Sequence, residues 1–132
     1  MRNTSRRNIQ GYSDLVGISY SEMDCWAIVR EFYKTEMDTT LKSYYDEIPS
    51  SKFEARDLVY SYKSDFKKVE GPEIRGDILL IKLFGVESHI AVYLGNGRIL
   101  HTSMPTGCVV DKLSKWERMI SGTYRAEVRN VD

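Results

Sequence analysis

Histidine and cysteine are scarce in this sequence of 132 residues, which contains two of each. Two cysteines can form at most one disulfide, too few for the cross-linked framework of a small secreted domain. The sequence also lacks net charge, because 19 Lys and Arg residues balance 19 Asp and Glu residues. We therefore expect neither a nucleic acid nor an anionic lipid surface as the main partner.

Long hydrophobic runs are missing as well. The longest, Ile78 to Val86, is interrupted by Lys82 and is too short to cross a bilayer, so we expect no membrane insertion. No apolar run follows the basic residues Arg2 and Arg7, so we expect no signal peptide and synthesis in a reducing cytoplasm. Residues 1–10 are expected to form a loose basic arm.

The residues that are present predict a single domain, 1–132, of the α+β class. Asp24 is the expected N-cap of a helix that runs to Lys34, and apolar spacing predicts a second helix over Ser51 to Lys68. Strands are expected after Gly71, so N-terminal helices would pack on a C-terminal antiparallel sheet. The predicted strands are Asp77 to Phe84, His89 to Leu94, Arg98 to Ser103, Cys108 to Val110 and Thr123 to Val128.

Two connections complete this prediction. The segment from Thr39 to Ser50 has clustered Tyr, Asp and Pro residues and is expected to be irregular. Leu113 to Ile120 is expected to form a short helix that carries Trp116.

Cys25 directly follows the expected N-cap and therefore lies in the first turn of the first helix. The unpaired N–H groups of a helix N-terminus stabilise negative charge, and this position can lower the pKa of a thiol. The pattern predicts a nucleophilic thiolate. The alternative is a buried cysteine that packs as a small hydrophobic side chain.

The two histidines lie on strands predicted to pair across the turn Gly95 to Gly97. If these three residues loop out, Leu94 pairs with Arg98, and His101 lies diagonally across from His89 on the same sheet face. A two-residue loop would instead place the two imidazoles on opposite faces. Either histidine alone could be a partly buried structural residue. Two histidines on the same face instead suggest a catalytic role.

A thiol and two imidazoles match the requirements of a nucleophile, its base and the residue that orients the base. Cys25 would attack a carbonyl, His89 would pair with the thiolate and protonate the leaving amine, and His101 would fix the tautomer of His89. The same three residues would also suit a zinc site. That interpretation is weaker because there is no close ligand pair and no evident fourth ligand, so we predict neither metal nor cofactor.

Several motifs occur in an order that resembles the NlpC-type cell-wall peptidases, which are papain-fold cysteine enzymes. The resemblance covers most of the chain and implies Cys25, His89 and His101 as the catalytic residues. It rests on G-I-S-Y (17–20), D-C-W (24–26), R-G-D-I-L (75–79), H-I-A-V-Y-L-G-N-G (89–97) and I-L-H (99–101).

Within that family the chain is most similar to tail-tip members of lambda-like bacteriophages. The shared features are an opening like D-L-V-G-x-x-Y, a helix like I-V-R-E-F-Y, and L-x-x-W followed by Y-R. The resemblance implies cleavage of peptidoglycan stem peptides, usually between γ-D-glutamate and the diamino acid. It also implies a place in the virion at the tail tip, with other tail proteins as partners and DNA entry as the purpose.

The resemblance adds a role for Tyr20, whose hydroxyl would bind substrate or the oxyanion together with the backbone N–H of Cys25; plain packing is the alternative. The chain departs from the family between Tyr20 and Cys25, where only four residues replace a W-G-G-rich loop, and at Trp26, which replaces a small Ser. Gly76 and Asp77 match a family motif expected to be structural. Cys108 is also expected to be structural.

The leading hypothesis is therefore a phage-tail peptidoglycan endopeptidase. Two alternatives stay open: a catalytically silent structural or assembly component of the tail tip, and a papain-like amidase or acyltransferase that acts on another amide.

Overall fold

The structure is a computed structural model that describes residues 8–43 and 65–126. In these ranges, one α-helix, α1 (Cys25–Glu36), packs against one six-stranded sheet of order β1-β6-β2-β3-β4-β5, with every neighbouring pair antiparallel. The predicted α+β class is confirmed. The strands are β1 (Phe66–Lys68), β2 (Ile78–Leu83), β3 (Val86–Gly95), β4 (Arg98–Ser103), β5 (Gly107–Lys112) and β6 (Ile120–Ala126).

Helix α1 begins where the sequence predicts. Asp24 is the N-cap, and its Oδ1 accepts a hydrogen bond of 2.9 Å from the backbone N–H of Ala27. The buried side chains recur at helical spacing, which turns one side of α1 towards the sheet. They are Cys25, Trp26, Ile28, Val29, Phe32 and Tyr33.

Successive side chains of a strand point to opposite faces of the sheet. Both faces of this sheet carry apolar side chains, so each has its own core cluster. On one face, Ile90, Val92 and Leu100 share a core with α1. On the other face, Ala91 and Ile99 belong to a smaller cluster. The even and odd positions of β3 and β4 therefore point to different sides of the molecule.

The β3–β4 hairpin turns differently from the prediction. Gly95 pairs with Arg98 around the two residues Asn96 and Gly97, and both have positive φ (53° and 72°) as a tight type I′ turn requires. A register shift between Tyr93 and Gly95 then compensates for the shorter loop. The expected three-residue loop is wrong, but the bulge restores the same face parity.

Other element boundaries also shift. Strands β3, β5 and β6 all begin earlier than predicted, and β5 also runs further, to Lys112. The expected helix Leu113 to Ile120 is instead two 3₁₀ turns, Leu113–Lys115 and Glu117–Met119, with Trp116 between them.

The helix predicted over Ser51 to Lys68 is contradicted at its end. Phe66–Lys68 is strand β1, which pairs with β6. Its apolar spacing suited a helix, but Phe66 is buried against Trp26, and this long-range contact decides the local structure. The rest of that predicted helix, 51–64, lies outside the described residues, as do most of the irregular segment and residues 1–7 of the arm. Of the arm, Ile9 packs against the main core.

The turn before β2 ties this framework together. The side chain of Asp77 accepts a hydrogen bond from the backbone N–H of Ile74 (2.9 Å) and two from the guanidinium of Arg125 (2.7 and 2.9 Å). Gly76 has φ +95°, and a Cβ there would lie 2.7 Å from the sulfur of Met37. The structural role expected for Gly76 and Asp77 is confirmed.

Candidate active site

The thiol of Cys25 lies at the start of α1, next to strand β3 of the sheet. Cys25 is only 4% exposed, and its sulfur interacts with the backbone N–H groups of Cys25 itself, Trp26 and Ile90. Ile90 follows His89 in β3, so the first turn of α1 brings the thiol beside the strand that carries the predicted base. The neighbouring Trp26 is a core residue: it is fully buried and donates its indole N–H to the carbonyl of Lys42 (2.9 Å).

The β3–β4 ladder ends next to this thiol. In the described part of the chain, paired residues of these strands run from Gly95–Arg98 to Val92–Leu100. Beyond that point β3 continues beside β2, while β4 continues beside β5 as far as Ser103. Because β4 no longer pairs with it, the backbone N–H of Ile90 can face the sulfur of Cys25.

Burial controls the protonation of Cys25. It raises the pKa of the thiol to about 12, with a further contribution from the negative charge of Asp24. The three backbone N–H groups act in the opposite direction but are outweighed. The N–H groups at the helix N-terminus therefore act in the predicted direction, but the predicted net lowering of the thiol pKa is wrong, because removal of water disfavours the thiolate more than these groups favour it.

His89 and His101 lie on one sheet face and contact each other directly. The Nε2 of His89 is 2.9 Å from the Nδ1 of His101, and the two rings meet edge to face at 5.0 Å between centroids. Both residues are buried, at 6% and 4% exposure. Because the Nε2 of His89 contacts His101, Nδ1 is the other ring nitrogen of His89.

The environment of His89 favours the neutral imidazole. Burial lowers its pKa to about 4, and the neighbouring His101 contributes in the same direction. At neutral pH His89 is therefore unprotonated and able to accept a proton. Burial thus favours a neutral thiol at Cys25 and a neutral imidazole at His89.

Asp111 contacts His101, Trp116 contacts both histidines, and neither residue was assigned a role from the sequence. The Oδ2 of Asp111 is 2.7 Å from the Nε2 of His101 and also accepts the indole N–H of Trp116 at 3.2 Å. The ring of Trp116 packs on both imidazoles, at centroid distances of 4.9 Å to His101 and 5.9 Å to His89. Hydrogen bonds therefore run from His89 through His101 to a carboxylate.

The sequence held a signal for Asp111. His101 pairs with Val109 in the β4–β5 ladder, so Asp111 lies two residues further along on the same face. The predicted strand stopped at Val110, one residue short, and so left Asp111 in a connection. Asp111 is two residues after Val109, the partner of His101, and this even spacing indicates a carboxylate on the same face as the histidine.

Tyr20 lies close enough to Cys25 for their charges to interact. Burial raises the pKa of the Tyr20 phenol, and the charges of Cys25 and Asp24 raise it further. The phenol is thus neutral and can donate a hydrogen bond. Its role towards an oxyanion stays a prediction, as do the catalytic roles of Cys25, His89 and His101.

Other parts of the prediction concern Cys108, metals and membranes. Cys108 is fully buried in the main core, and its backbone N–H donates to the carbonyl of Ile18. Within residues 8–43 and 65–126, no group of three or more His, Cys, Asp and Glu side chains is placed to bind a metal ion. No helix in those ranges has the length and hydropathy to span a membrane.

Comparison with known proteins adds to this geometry. The profile of the NlpC/P60 family matches residues 12–125. The chain is 21% identical over 134 residues to the murein DD-endopeptidase MepS/murein LD-carboxypeptidase of Escherichia coli (strain K12), covering 94% of this chain and 64% of the relative. It is 32% identical over 56 residues to the peptidoglycan DL-endopeptidase CwlO of Bacillus licheniformis, covering 41% of this chain and 12% of the relative. In each case the chain spans less than two thirds of the relative's length.

Proposed function

The chain belongs to the NlpC/P60 family, and on that premise we propose that it is a cysteine peptidase that hydrolyses peptide bonds in peptidoglycan. The observation that carries the proposal is the bond between His89 and His101, which leaves the Nδ1 of His89 for a thiol that lies beside the same strand. Both relatives are named as enzymes of murein or peptidoglycan, which supports the substrate class.

The reaction follows from these positions. The sulfur of Cys25 attacks the carbonyl carbon while the Nδ1 of His89 takes the thiol proton. The oxyanion accepts hydrogen bonds from the backbone N–H of Cys25 and the hydroxyl of Tyr20. The tetrahedral intermediate collapses, His89 returns its proton to the leaving amine, and a thioester remains. Water, deprotonated by His89, then hydrolyses the thioester and restores the thiol.

We further propose that the bond cleaved joins γ-D-glutamate to the diamino acid, and that the protein acts at the tail tip of a bacteriophage. Support comes from the sequence resemblance, above all the D-L-V-G-x-x-Y opening and the L-x-x-W and Y-R motifs. The two relatives are named for different bonds, DD and LD in one and DL in the other. In this proposal the enzyme is a virion component bound to other tail proteins and opens the wall locally for DNA entry.

One observation favours a second candidate, a silent structural component of the tail. Cys25, His89 and His101 are all at most 6% exposed, so the site is closed to a large substrate as it stands. A cavity of about 270 Å³ flanks α1, but it is lined by residues such as Met23, Arg30 and Leu41 rather than by the thiol. A structural protein could keep the fold with this site shut.

Digestion of purified sacculi distinguishes the two candidates. Wild-type protein, Cys25→Ser and the matched thiol variant Cys108→Ala are each incubated with sacculi, and released muropeptides are resolved by mass spectrometry. The peptidase proposal expects products from wild type and Cys108→Ala but not from Cys25→Ser, with new γ-D-glutamyl termini if the bond is as proposed. Identical profiles from wild type and Cys25→Ser would favour the structural candidate, and mass spectrometry of purified virions tests the tail location.

A further inference from the structure

We propose that Asp111 is a positioning residue that, through His101, sets the proton positions on both imidazoles and holds the Nδ1 of His89 unprotonated towards Cys25. The inference deepens the proposed function and rests on it for its catalytic meaning. The proton positions themselves are a property of the folded chain and do not require activity.

The argument starts at the carboxylate, because an ionised carboxylate can only accept hydrogen bonds. The Oδ2 of Asp111 lies 2.7 Å from the Nε2 of His101, so that nitrogen must carry the proton. In a neutral imidazole the other nitrogen is then an acceptor. The Nδ1 of His101 therefore accepts, and the Nε2 of His89, 2.9 Å away, must donate. His89 is left with its lone pair on Nδ1.

Asp111 is itself held in place and kept charged. The indole N–H of Trp116 donates to the same Oδ2 at 3.2 Å, and the Nζ of Lys115 lies 3.8 Å from Oδ1. Partial burial alone would raise the pKa of Asp111, but the hydrogen bonds from His101 and Trp116 and the charge of Lys115 bring it below its ordinary value. The carboxylate is thus ionised at neutral pH.

The arrangement also helps at the moment of proton transfer. When His89 takes the thiol proton, it becomes a buried cation whose Nε2–H points at His101. The Nε2–H of His101 points the same way, towards the negative charge of Asp111, and aligned hydrogen bonds polarise one another. No proton has to move beyond His89 for this stabilisation to act.

The test uses the fact that the chain has only two histidines. With ¹⁵N-labelled histidine, long-range ¹H–¹⁵N spectra report which nitrogen of each ring is protonated, and His101→Asn assigns the remaining signals to His89. Wild type, Asp111→Asn and Asp111→Ala are compared at pH 7.5. Asp38→Asn is the control, because it removes an exposed carboxylate beyond the far end of α1.

We expect wild type and Asp38→Asn to show the Nε2–H form of both rings. Asp111→Asn, whose amide oxygen can still accept from His101, keeps the same forms, whereas Asp111→Ala shifts both rings towards a mixture with Nδ1–H. On sacculi, the rate falls about tenfold or more in Asp111→Ala, because the general base loses its orientation, and falls less in Asp111→Asn. Unchanged proton positions in Asp111→Ala would overturn the inference.

A second pair of variants covers the case in which Asp111→Ala does not fold. Asp111→Val and Asp111→Leu also remove every hydrogen-bond acceptor from the side chain, and folding is checked by near-UV circular dichroism. If both folded variants keep wild-type proton positions, the inference also fails. If wild type has the expected proton positions but cleaves no sacculi, the proposed function fails while the role of Asp111 in setting the tautomers stands.

Discussion

The Nε2 of His89 and the Nδ1 of His101 lie 2.9 Å apart in the folded chain, although the two residues are twelve positions apart in sequence. The contact exists because β3 and β4 are antiparallel and the bulge before Gly95 keeps both side chains on one face. It makes the orientation of the base depend on a neighbouring strand.

Replacement of His101 tests that dependence. His101→Phe keeps a planar ring but removes the acceptor for His89, so we expect the rate on sacculi to fall about 100-fold. His101→Asn, whose amide oxygen can accept in part, is the matched variant and should lose less. Circular dichroism checks that both fold. Wild-type activity in folded His101→Phe would contradict the orienting role.

His89 should make stability depend on pH. Its pKa is about 4 in the folded protein against 6.5 in an unfolded chain. As pH falls below 6.5 the unfolded state gains a proton that the folded state does not, so stability is lost down to about pH 4. The loss from this group amounts to about 3 kcal/mol.

Urea unfolding at pH 7 and pH 4.5 measures this loss. His89→Gln cannot titrate, so its stability should fall less over the same interval, and the difference between the two proteins isolates His89 from other groups. Parallel pH dependence in wild type and His89→Gln would show that the imidazole is not held neutral by burial.

Asp24 should restrain the reactivity of the thiol while it caps the helix. Its negative charge raises the pKa of Cys25, and Asn is an equally good N-cap. In a Cys108→Ala background, where Cys25 is the remaining thiol, we expect Asp24→Asn to speed iodoacetamide alkylation at pH 8 by about threefold to tenfold. Asp38→Asn is the charge control, and equal acceleration there would exclude a local effect.

The Asp77–Arg125 pair should matter for stability. The side chain of Asp77 is 1% exposed and that of Arg125 is 39% exposed. Loss of the arginine therefore leaves a buried carboxylate without its ion-pair partner. We expect Arg125→Met to destabilise the fold by about 2–3 kcal/mol in urea unfolding. The double variant Asp77→Asn, Arg125→Met should recover part of that loss. A double variant less stable than the sum of the single changes would argue against the pair.

These residues also show how sequence and structure complement each other. Gly76-Asp77 and Tyr124-Arg125 were separate motifs of the resemblance, 48 positions apart at the paired residues, and only the fold shows that they form one ion pair. Similarly, Asp111 was missed because the predicted strand ended at Val110, one residue before it. Where a strand ends depends on the neighbouring strand as much as on local propensity.

The sequence by itself determined the features that depend on short-range geometry. Asp24 capped the helix and α1 began at Cys25, because a cap depends on residues within one helical turn. The common face of His89 and His101 depended on the bulge before Gly95 as well as on strand alternation. Tertiary structure alone decided the pKa direction of Cys25, the strand at Phe66 and the carboxylate behind His101. These depend on which distant groups exclude water or supply a partner, and no local pattern encodes that.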